Sequence, residues 1–597
     1  MSSISSKKNE VQERQKDLVE EEQADESHSY FYRAVVVPFR RLKYGFLPTW
    51  RDVPDEVEDE AWLLREAKLQ DEVSPVEYRD EKNRKWWNFF DEYEYRVNKT
   101  YRKKHKWYKW FNETDTPEER RVILKIDILL TLYSLMAYWV KYLDQTNINN
   151  AYIGGLKEGI GMEGNDLVNT QVMFTIGSII FQIPFMYILY GVPLNYVLPS
   201  LDIAWSIFTV AIYRVQDVPQ LKVLRFFIGV FEAPSYLAYQ YLFGSWYTVD
   251  EISRRSMVYY LGQYLGLLTS GLLSGAIVDN LDGLSGLEAW KWIFIIDGVV
   301  SIAVGLIGFY MIPGTPENCY SIFLSDKDIQ IARRRLKRNR TATTQQVKHK
   351  ELFKSLFKLD LWKSILSSWH IYVLTLWNVF CWNNNNGTSG SYVLWIDSLR
   401  NSDGTARFDP GKKQQMTALT PGLGLLWLFL TCSYADLFHS RWQAILFSQV
   451  FNIAGNVILA VWHVPEGAKW FAFCMQYFGW AMAPVLYSWM NDICRRDPQK
   501  RAIMLVVMNM LAQTSTAFIS VLVWKTVEAP RFLKGFTFTA CAAFSLIVWT
   551  FVVLYFYKRD EKRDCANNGI VLYNSDTDRE PLGLHNEDSS TDFDKQD

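Results

Sequence analysis

Apolar residues in this 597-residue chain recur at neither helix nor strand spacing; they pool into blocks separated by short polar joints. Each block is about twenty residues, the length a helix needs to cross the hydrocarbon core of a bilayer. Twelve spans are readable: Ile123–Leu143, Val168–Tyr190, Val197–Tyr213, Leu221–Leu242, Met257–Val278 and Trp292–Ile312, then, after a polar interval at 313–363, Ile365–Trp382, Met416–Tyr434, Ala444–Trp462, Trp470–Trp489, Ile503–Trp524 and Phe536–Tyr557. The seventh could continue to Trp395 in broken form. This is an all-α membrane pattern: a polar tail over 1–120, six spans over 121–313, a basic linker over 314–364, six spans over 365–557, and a polar, acidic tail over 558–597 that is expected to be disordered.

The first thirty residues are charged and Ser-rich, a composition that predicts disorder, and they hold no apolar stretch resembling a cleaved leader. Residues 79–111 are dense in Trp, Tyr, Lys and Arg. Two readings stand for them: an interfacial helix with Trp86, Trp87 and Phe90 dipping into the leaflet and lysines on headgroups, or a solvated tail packed on the bundle. Nucleic acid is not expected as a partner behind twelve spans. The seven cysteines are scattered and odd in number, with no CxxC or Cys/His spacing, so no metal, cofactor or disulfide framework is expected. There is no Walker motif, no GxGxxG and no HExxH, and nothing in the chain supports an enzyme or ATP-driven transport.

Basic residues gather in the joints that share a side with the N-terminus: Arg254 and Arg255, six in eight residues from Arg333 to Arg340, then Arg441, Arg495, Arg496, Lys500, Arg501, Lys558 and Arg559. The joint at 400–413, with four basics, runs against the trend. The bias predicts cytosolic termini, with the basic run anchoring the inner face.

The span at 221–242 carries Arg225 and Glu232 inside its apolar run. Seven residues return them to one helix face, and intramembrane charges of this kind face a bundle interior or a wet cavity. The functional reading makes Glu232 a proton-coupling acid with Arg225 as its modulator or an anion clamp; the alternative is a structural ion pair. In the first span Lys141 and Asp144 can pair at i, i+3, with Asn147 continuing toward the outer mouth as an entry gate or substrate contact, against snorkelling and a turn cap. Tyr236 and Gln240 follow Glu232.

The seventh span ends in WNVFCWNNNNGTSGSYVLW. Unwound backbone at that depth survives only beside a cavity, which makes Trp377, Asn378, Trp382 and Asn383 cavity candidates. Alternatively the span stops at Trp382, and Asn386-Gly387-Thr388 is an external glycosylation sequon. Gln171, Gln182, Gln263, Gln476, Asn509 and Gln513 add polar groups within spans, with Asp202 and Asp297; singly these are more often helix–helix hydrogen bonds, and Gln263, Gln476, Asn509 and Gln513 are the substrate-contact candidates among them.

The two sets of six echo one another weakly, Glu232-Ala233-Pro234 against Met482-Ala483-Pro484. Parallel six-span repeats are the plan of the major facilitator fold. YLDQTNINNAYIGGLKEGIGMEGND, RFFIGVFEAPSYLAYQYLFGSWY, WKWIFIIDG, PGTPENCYSIFLSDKDI and NDICRRDPQKRA resemble the fungal allantoate permease family, the anion:cation symporter branch of the major facilitators. The resemblance runs from about Tyr78 to Ser575. It implies a monomeric, proton-coupled importer of small organic anions, vitamins or amino-acid-like solutes, including sulfur-containing ones, at the plasma membrane. It carries the RFxxGxxEA pattern onto Arg225, Gly229, Glu232 and Ala233, and a loop latch onto Asp436 and Arg441; the matching loop of the first half lacks both charges. A non-transporting nutrient sensor on the same bundle is the alternative.

Overall fold

The structure is a computed structural model that describes residues 46–51, 53–54, 77–82, 84–96, 110–111, 115–339, 359–495 and 498–576. The expectations for the first thirty residues, for Arg340 and Arg496 and for the end of the acidic tail lie outside these.

The first long helix begins where the local sequence supplies a cap. The first, α1 (Pro117–Gly159), starts on a reciprocal pair: Glu119 N donates to Thr116 Oγ1 at 3.3 Å and Thr116 N to the Glu119 carboxylate at 2.8 Å, with Pro117 in the first turn where its missing N–H costs nothing. There follow α2 (Asp166–Gly191), α3 (Leu194–Arg214), α4 (Val218–Glu232), α5 (Ser235–Trp246), α6 (Val249–Leu281) and α7 (Ala289–Met311). After the linker helix α8 (Asp326–Asn339) and the short α9 (Leu359–Leu366) come α10 (Trp369–Asn383), α11 (Ser391–Ser398), α12 (Pro410–Leu437), α13 (Arg441–Val461), α14 (Glu466–Cys474), α15 (Ala483–Ile493), α16 (Pro498–Val523) and α17 (Leu533–Arg563). Pairing α4 with α5, α10 with α11 and α14 with α15 gives twelve rods in two sets of six. Among the described residues eight helices are long and apolar enough to cross a membrane. The three paired rods are broken, two of them at the echoed prolines: α4 stops before Pro234 and α15 carries Pro484 in its first turn, each removing a backbone donor from its rod.

The packing repeats between the halves. In the first, α1 packs on α6, α2 on α4, α3 on α7; in the second, α10 packs on α16, α12 on the Phe478–Ala481 turn that leads into α15, and α13 on α17. Contacts between halves also come in related pairs, α6 with α12 and α2 with α16. Where α2 crosses α4, a β-carbon on Gly229 would collide with the Phe174 carbonyl, and one on Gly177 with that of Phe226. This crossing sets how closely α4, with its two charges, approaches its neighbours.

The end of the bundle that carries the termini is held by polar contacts. Arg335 of α8 donates to both Glu251 oxygens, at 2.7 and 2.8 Å, and to the Trp246 carbonyl at 3.1 Å; Arg333 donates to the Pro316 and Val53 carbonyls at 2.9 and 2.8 Å. Of the basic run expected to anchor the inner face, these two arginines are bound to protein. Asp127, at the start of α1, accepts from Arg255 at 3.1 and 3.2 Å, from Trp110 Nε1 at 2.8 Å and from Tyr247 OH at 2.8 Å.

A strap precedes α1 and touches both halves. Arg51 pairs with Asp326 at 2.9 Å and Tyr310 OH donates to the Phe46 carbonyl at 2.5 Å. Further along, β1 (Glu77–Asp80) pairs in parallel with β2 (Ile570–Tyr573), Glu77 opposite Ile570 and Asp80 opposite Tyr573. This small sheet corrects the expectation of a disordered tail after Lys558 as far as Tyr573: an extended β-branched pair after α17 finds a partner strand from the N-terminal segment.

Candidate functional site

On α1, Lys141, Gln145 and Asn149 fall at i, i+4 and i+8 and so share one face; all three line a cavity of about 260 Å³ between the halves. Asp144 and Asn147 lie on the adjacent face and point into the bundle, both buried. α4 runs antiparallel beside α1 and presents Glu232 at the level of Lys141 and Arg225 at the level of Asp144.

The pairing is therefore crossed. Lys141 Nζ lies 3.3 Å from Glu232 Oε1, and Gln145 Nε2 donates to the same oxygen at 2.5 Å. Arg225 Nη1 lies 3.6 Å from Asp144 Oδ2. The expected Lys141–Asp144 pair within α1 does not form, because the two side chains leave the helix on different faces and each meets a charge on α4. Glu232 is 1% exposed and Arg225 2%. Glu232 Oε2 and Arg225 Nε and Nη2 have no hydrogen-bond partner among the described groups. Asp297 of α7 stands beside Asp144 in this cluster, and both its oxygens also lack a hydrogen bond. Buried charge is tolerated only with partners, and Arg225, Glu232 and Asp297 keep polar atoms without a hydrogen bond inside the bundle.

The opposite wall comes from the second half. The seventh rod stops at Asn383 and resumes at Ser391, so the Asn run is unwound within the bundle. Trp382 Nε1 donates to Tyr487 OH at 2.9 Å, and Asn383 Nδ2 to Ser515 Oγ at 2.7 Å. Asn386 is 1% exposed and donates to Asn456 Oδ1 at 2.9 Å; the external-loop alternative with a glycosylated Asn386 is corrected, since a buried amide committed to Asn456 is out of reach of a glycan. Gln476 and Asn509 line the cavity with buried carbonyl oxygens that have no partner. Hydrogen bonds that cross between halves include Gln182 Nε2 to Gln513 Oε1 at 2.6 Å, Gln414 Nε2 to the Asn150 carbonyl at 2.7 Å and Trp480 Nε1 to Gln263 Oε1 at 2.8 Å.

Aromatic rings close one end. Tyr236 OH meets Tyr260 OH at 3.1 Å, and the Tyr236 and Tyr487 rings, one from each half, lie 5.5 Å apart. From this floor the lining runs away from the termini-bearing end, to Val168, Ser520 and Trp524.

Of the residues expected from sequence, Lys141, Arg225, Glu232, Tyr236, Gln263, Trp382, Asn383, Gln476, Asn509 and Gln513 line this one cavity. Asp144, Asn147, Gln240, Trp377 and Asn378 lie off it. Asn147 Oδ1 accepts from Ser270 Oγ at 2.6 Å, Trp377 Nε1 donates to Thr550 Oγ1 at 3.0 Å, and Asn378 Nδ2 donates to the Met508 carbonyl at 3.1 Å. Their polar atoms tie helix to helix. Gln145, Asn149 and Gln171 were overlooked as contacts or read as helix–helix bonds; the i, i+4 spacing from Lys141 is the signal that marks the first two.

Of the loop-latch residues expected from sequence, Asp436 interacts electrostatically with Arg254 and Arg441, and Arg441 has further partners. Arg441 Nη2 pairs with Asp492 at 2.8 Å, and its Nε and backbone N bond the carboxylate of Glu92 in the strap. Burial raises the Asp492 carboxyl, but Arg96, Arg441 and Arg495 outweigh it and hold it well below the ordinary carboxylate range.

Residues 134–521 match the Major Facilitator Superfamily. The chain is 40% identical over 513 residues to the "Vitamin H transporter" of Saccharomyces cerevisiae, covering 85% of this chain and 84% of that one. It is 29% identical over 450 residues to "Pantothenate transporter liz1" of Schizosaccharomyces pombe, covering 74% and 84%. The solved proton:xylose symporter XylE shares the fold at a TM-score of 0.56 and 13% identity, covering 72% of this chain and 95% of that one. Proteins of this kind are secondary transporters and not enzymes. With its membrane-length helices, its two six-rod halves and a charged cavity between them, the chain belongs to the major facilitator superfamily.

Proposed function

We propose that the protein imports a small organic anion of vitamin or amino-acid-like character, coupled to protons, by alternating access at the plasma membrane. The observation that carries this reading is Glu232, buried on the cavity wall with one oxygen held by Lys141 and Gln145 and the other free. A carboxyl so placed exchanges a proton with whatever enters, and its protonation frees Lys141 for an anion. Arg225 also lines this cavity and keeps two buried donors without a partner. Amides of Asn383, Gln476, Asn509 and Gln513 and the rings of Trp382 and Tyr236 grip the uncharged remainder. The relatives named for vitamin H and pantothenate support a vitamin-like solute. The resemblance to the fungal allantoate permease family keeps sulfur amino acids among the candidates.

Cytosolic termini fit the basic residues at that end, Arg254, Arg255, Arg495, Lys500 and Lys558 among them. The cavity then faces outward, its inner side shut by Tyr236, Tyr260 and Tyr487. The protein acts as a monomer.

The test is uptake of labelled small acids, vitamins and sulfur amino acids into cells lacking the gene, with and without the expressed protein. A concentrated solute whose gradient collapses on adding an uncoupler is expected; accumulation indifferent to the uncoupler removes the proton from the mechanism. Arg225→Ala leaves Asp144 unpaired, so the informative variant is Arg225→Ala with Asp144→Asn. It is expected to weaken an anionic solute about 10-fold or more relative to its neutral amide, the range of a charged hydrogen bond. Equal losses for both solutes dismiss the anion clamp.

A further inference from the structure

One turn of the strap places large apolar side chains where the bundle meets the edge of the membrane. Trp86–Phe90 forms a single 3-10 turn. Its inner side is fixed to the second half: Trp442 Nε1 donates to the Phe90 carbonyl at 3.0 Å, Lys558 Nζ to the Phe89 carbonyl at 3.0 Å, and Glu94 pairs with Lys558. The Phe90 ring lies 5.5 Å from Trp442 and 6.4 Å from Phe551. The outer side is bare: Trp86 is 74% exposed, Trp87 52% and Phe90 37%.

Depth follows from the partners. Phe551 belongs to the apolar run of α17, and Lys558 is the first charge after that run. The seven residues between them span about 10 Å of helix, and Tyr555, midway, is 56% exposed on the lipid-facing side. The turn therefore sits beside the level at which α17 leaves hydrocarbon for water, the layer in which Trp is favoured because its ring is apolar and its N–H polar. The bare rings continue the apolar belt of α13 and α17. Most neighbouring charges are already matched: Lys82 with Asp576, Arg84 with Glu94, Lys562 with Glu81. Lys85 stacks over the Trp87 ring at 5.0 Å.

We propose that Trp86, Trp87 and Phe90 insert into the lipid interface at the termini-bearing end, as an anchor that seats the N-terminal strap on the second half of the transporter. The partner is the membrane surface itself. Because Lys82, Arg84 and Lys562 are paired within the protein, insertion depends on the rings and not on anionic headgroups. This differs from the interfacial reading of the sequence, in which lysines on headgroups share the work.

The experiment uses the full chain in lipid nanodiscs. Cys541, the exposed cysteine among those described, is replaced by Ser, and Lys85→Cys is labelled with an environment-sensitive dye. The dye is expected to be quenched by lipid carrying a shallow spin label and shielded from aqueous iodide. Both effects should persist in neutral and anionic lipid and at about 0.5 M salt, where surface charge attraction is screened. Adding Trp86→Ser and Trp87→Ser should roughly halve the lipid quenching or better and open the dye to iodide, as expected when interfacial aromatics are removed, while uptake shows that the variant is folded. Free access to iodide without lipid quenching in the parent overturns the proposal. So does shielding from both quenchers, which marks a protein covering the turn, or lipid quenching that survives loss of both tryptophans.

Discussion

Glu232→Gln abolishes concentrative uptake while leaving a folded protein that still exchanges solute across the membrane. The amide keeps the size of the side chain and can still accept from Gln145, whose Nε2 meets Oε1 at 2.5 Å. It cannot take up or release a proton, and it removes the counter-charge 3.3 Å from Lys141. The inside-to-outside ratio at steady state should fall to unity, while exchange of internal for external solute continues and loses its dependence on pH. Wild-type accumulation in this variant would remove Glu232 from coupling. Loss of exchange together with folded yield would identify the Lys141–Glu232 contact as a structural pair, the alternative that the sequence leaves open.

The second large effect is expected far from the cavity. Arg441→Met removes the cation between Glu92 and Asp492, leaving Glu92 with its carboxylate fully buried and without another named ion-pair partner. Breaking one side of a buried pair costs about 3–5 kcal/mol, because the remaining charge stays in a low-dielectric site. The strap should detach, seen as faster proteolysis in the stretch around Arg84 and Lys85 and a lower unfolding temperature. Glu92→Gln in the same chain should restore part of the loss, since the orphaned charge is gone. Asp436→Asn should leave the cleavage rate unchanged, because Arg441 is committed to Glu92 and Asp492. Equal sensitivity of the two variants would return the latch to Asp436 and Arg441, where the loop motif puts it.

How far the sequence reached differs between fold and site. The spans were legible because a bilayer imposes one length on every apolar block, so hydropathy reports the helices with little ambiguity. The breaks were legible at Pro234 and in the Asn run, since proline and consecutive asparagines disfavour continuous helix for local reasons. Arg225 and Glu232 stood out because charge in an apolar span is costly enough to need a purpose.

Partner choice was not legible. Lys141 can reach Asp144 along its own helix or Glu232 on a neighbour, and spacing alone does not decide between them. In the fold Lys141 Nζ lies 3.3 Å from Glu232 Oε1, and the neighbour wins. Trp377 and Asn378 precede Trp382 and Asn383 by one helical turn and more, yet their polar atoms meet Thr550 and Met508 inside the second half and not the cavity. Arg441 finds Glu92 from 349 residues away, a contact no local pattern records. Composition and period thus determined that this chain is a bundle of membrane helices with charge at its centre. Only the packing of the helices decided which charges pair, which amides face the solute path and where the N-terminal strap binds, because those outcomes depend on distances between segments that the sequence does not order.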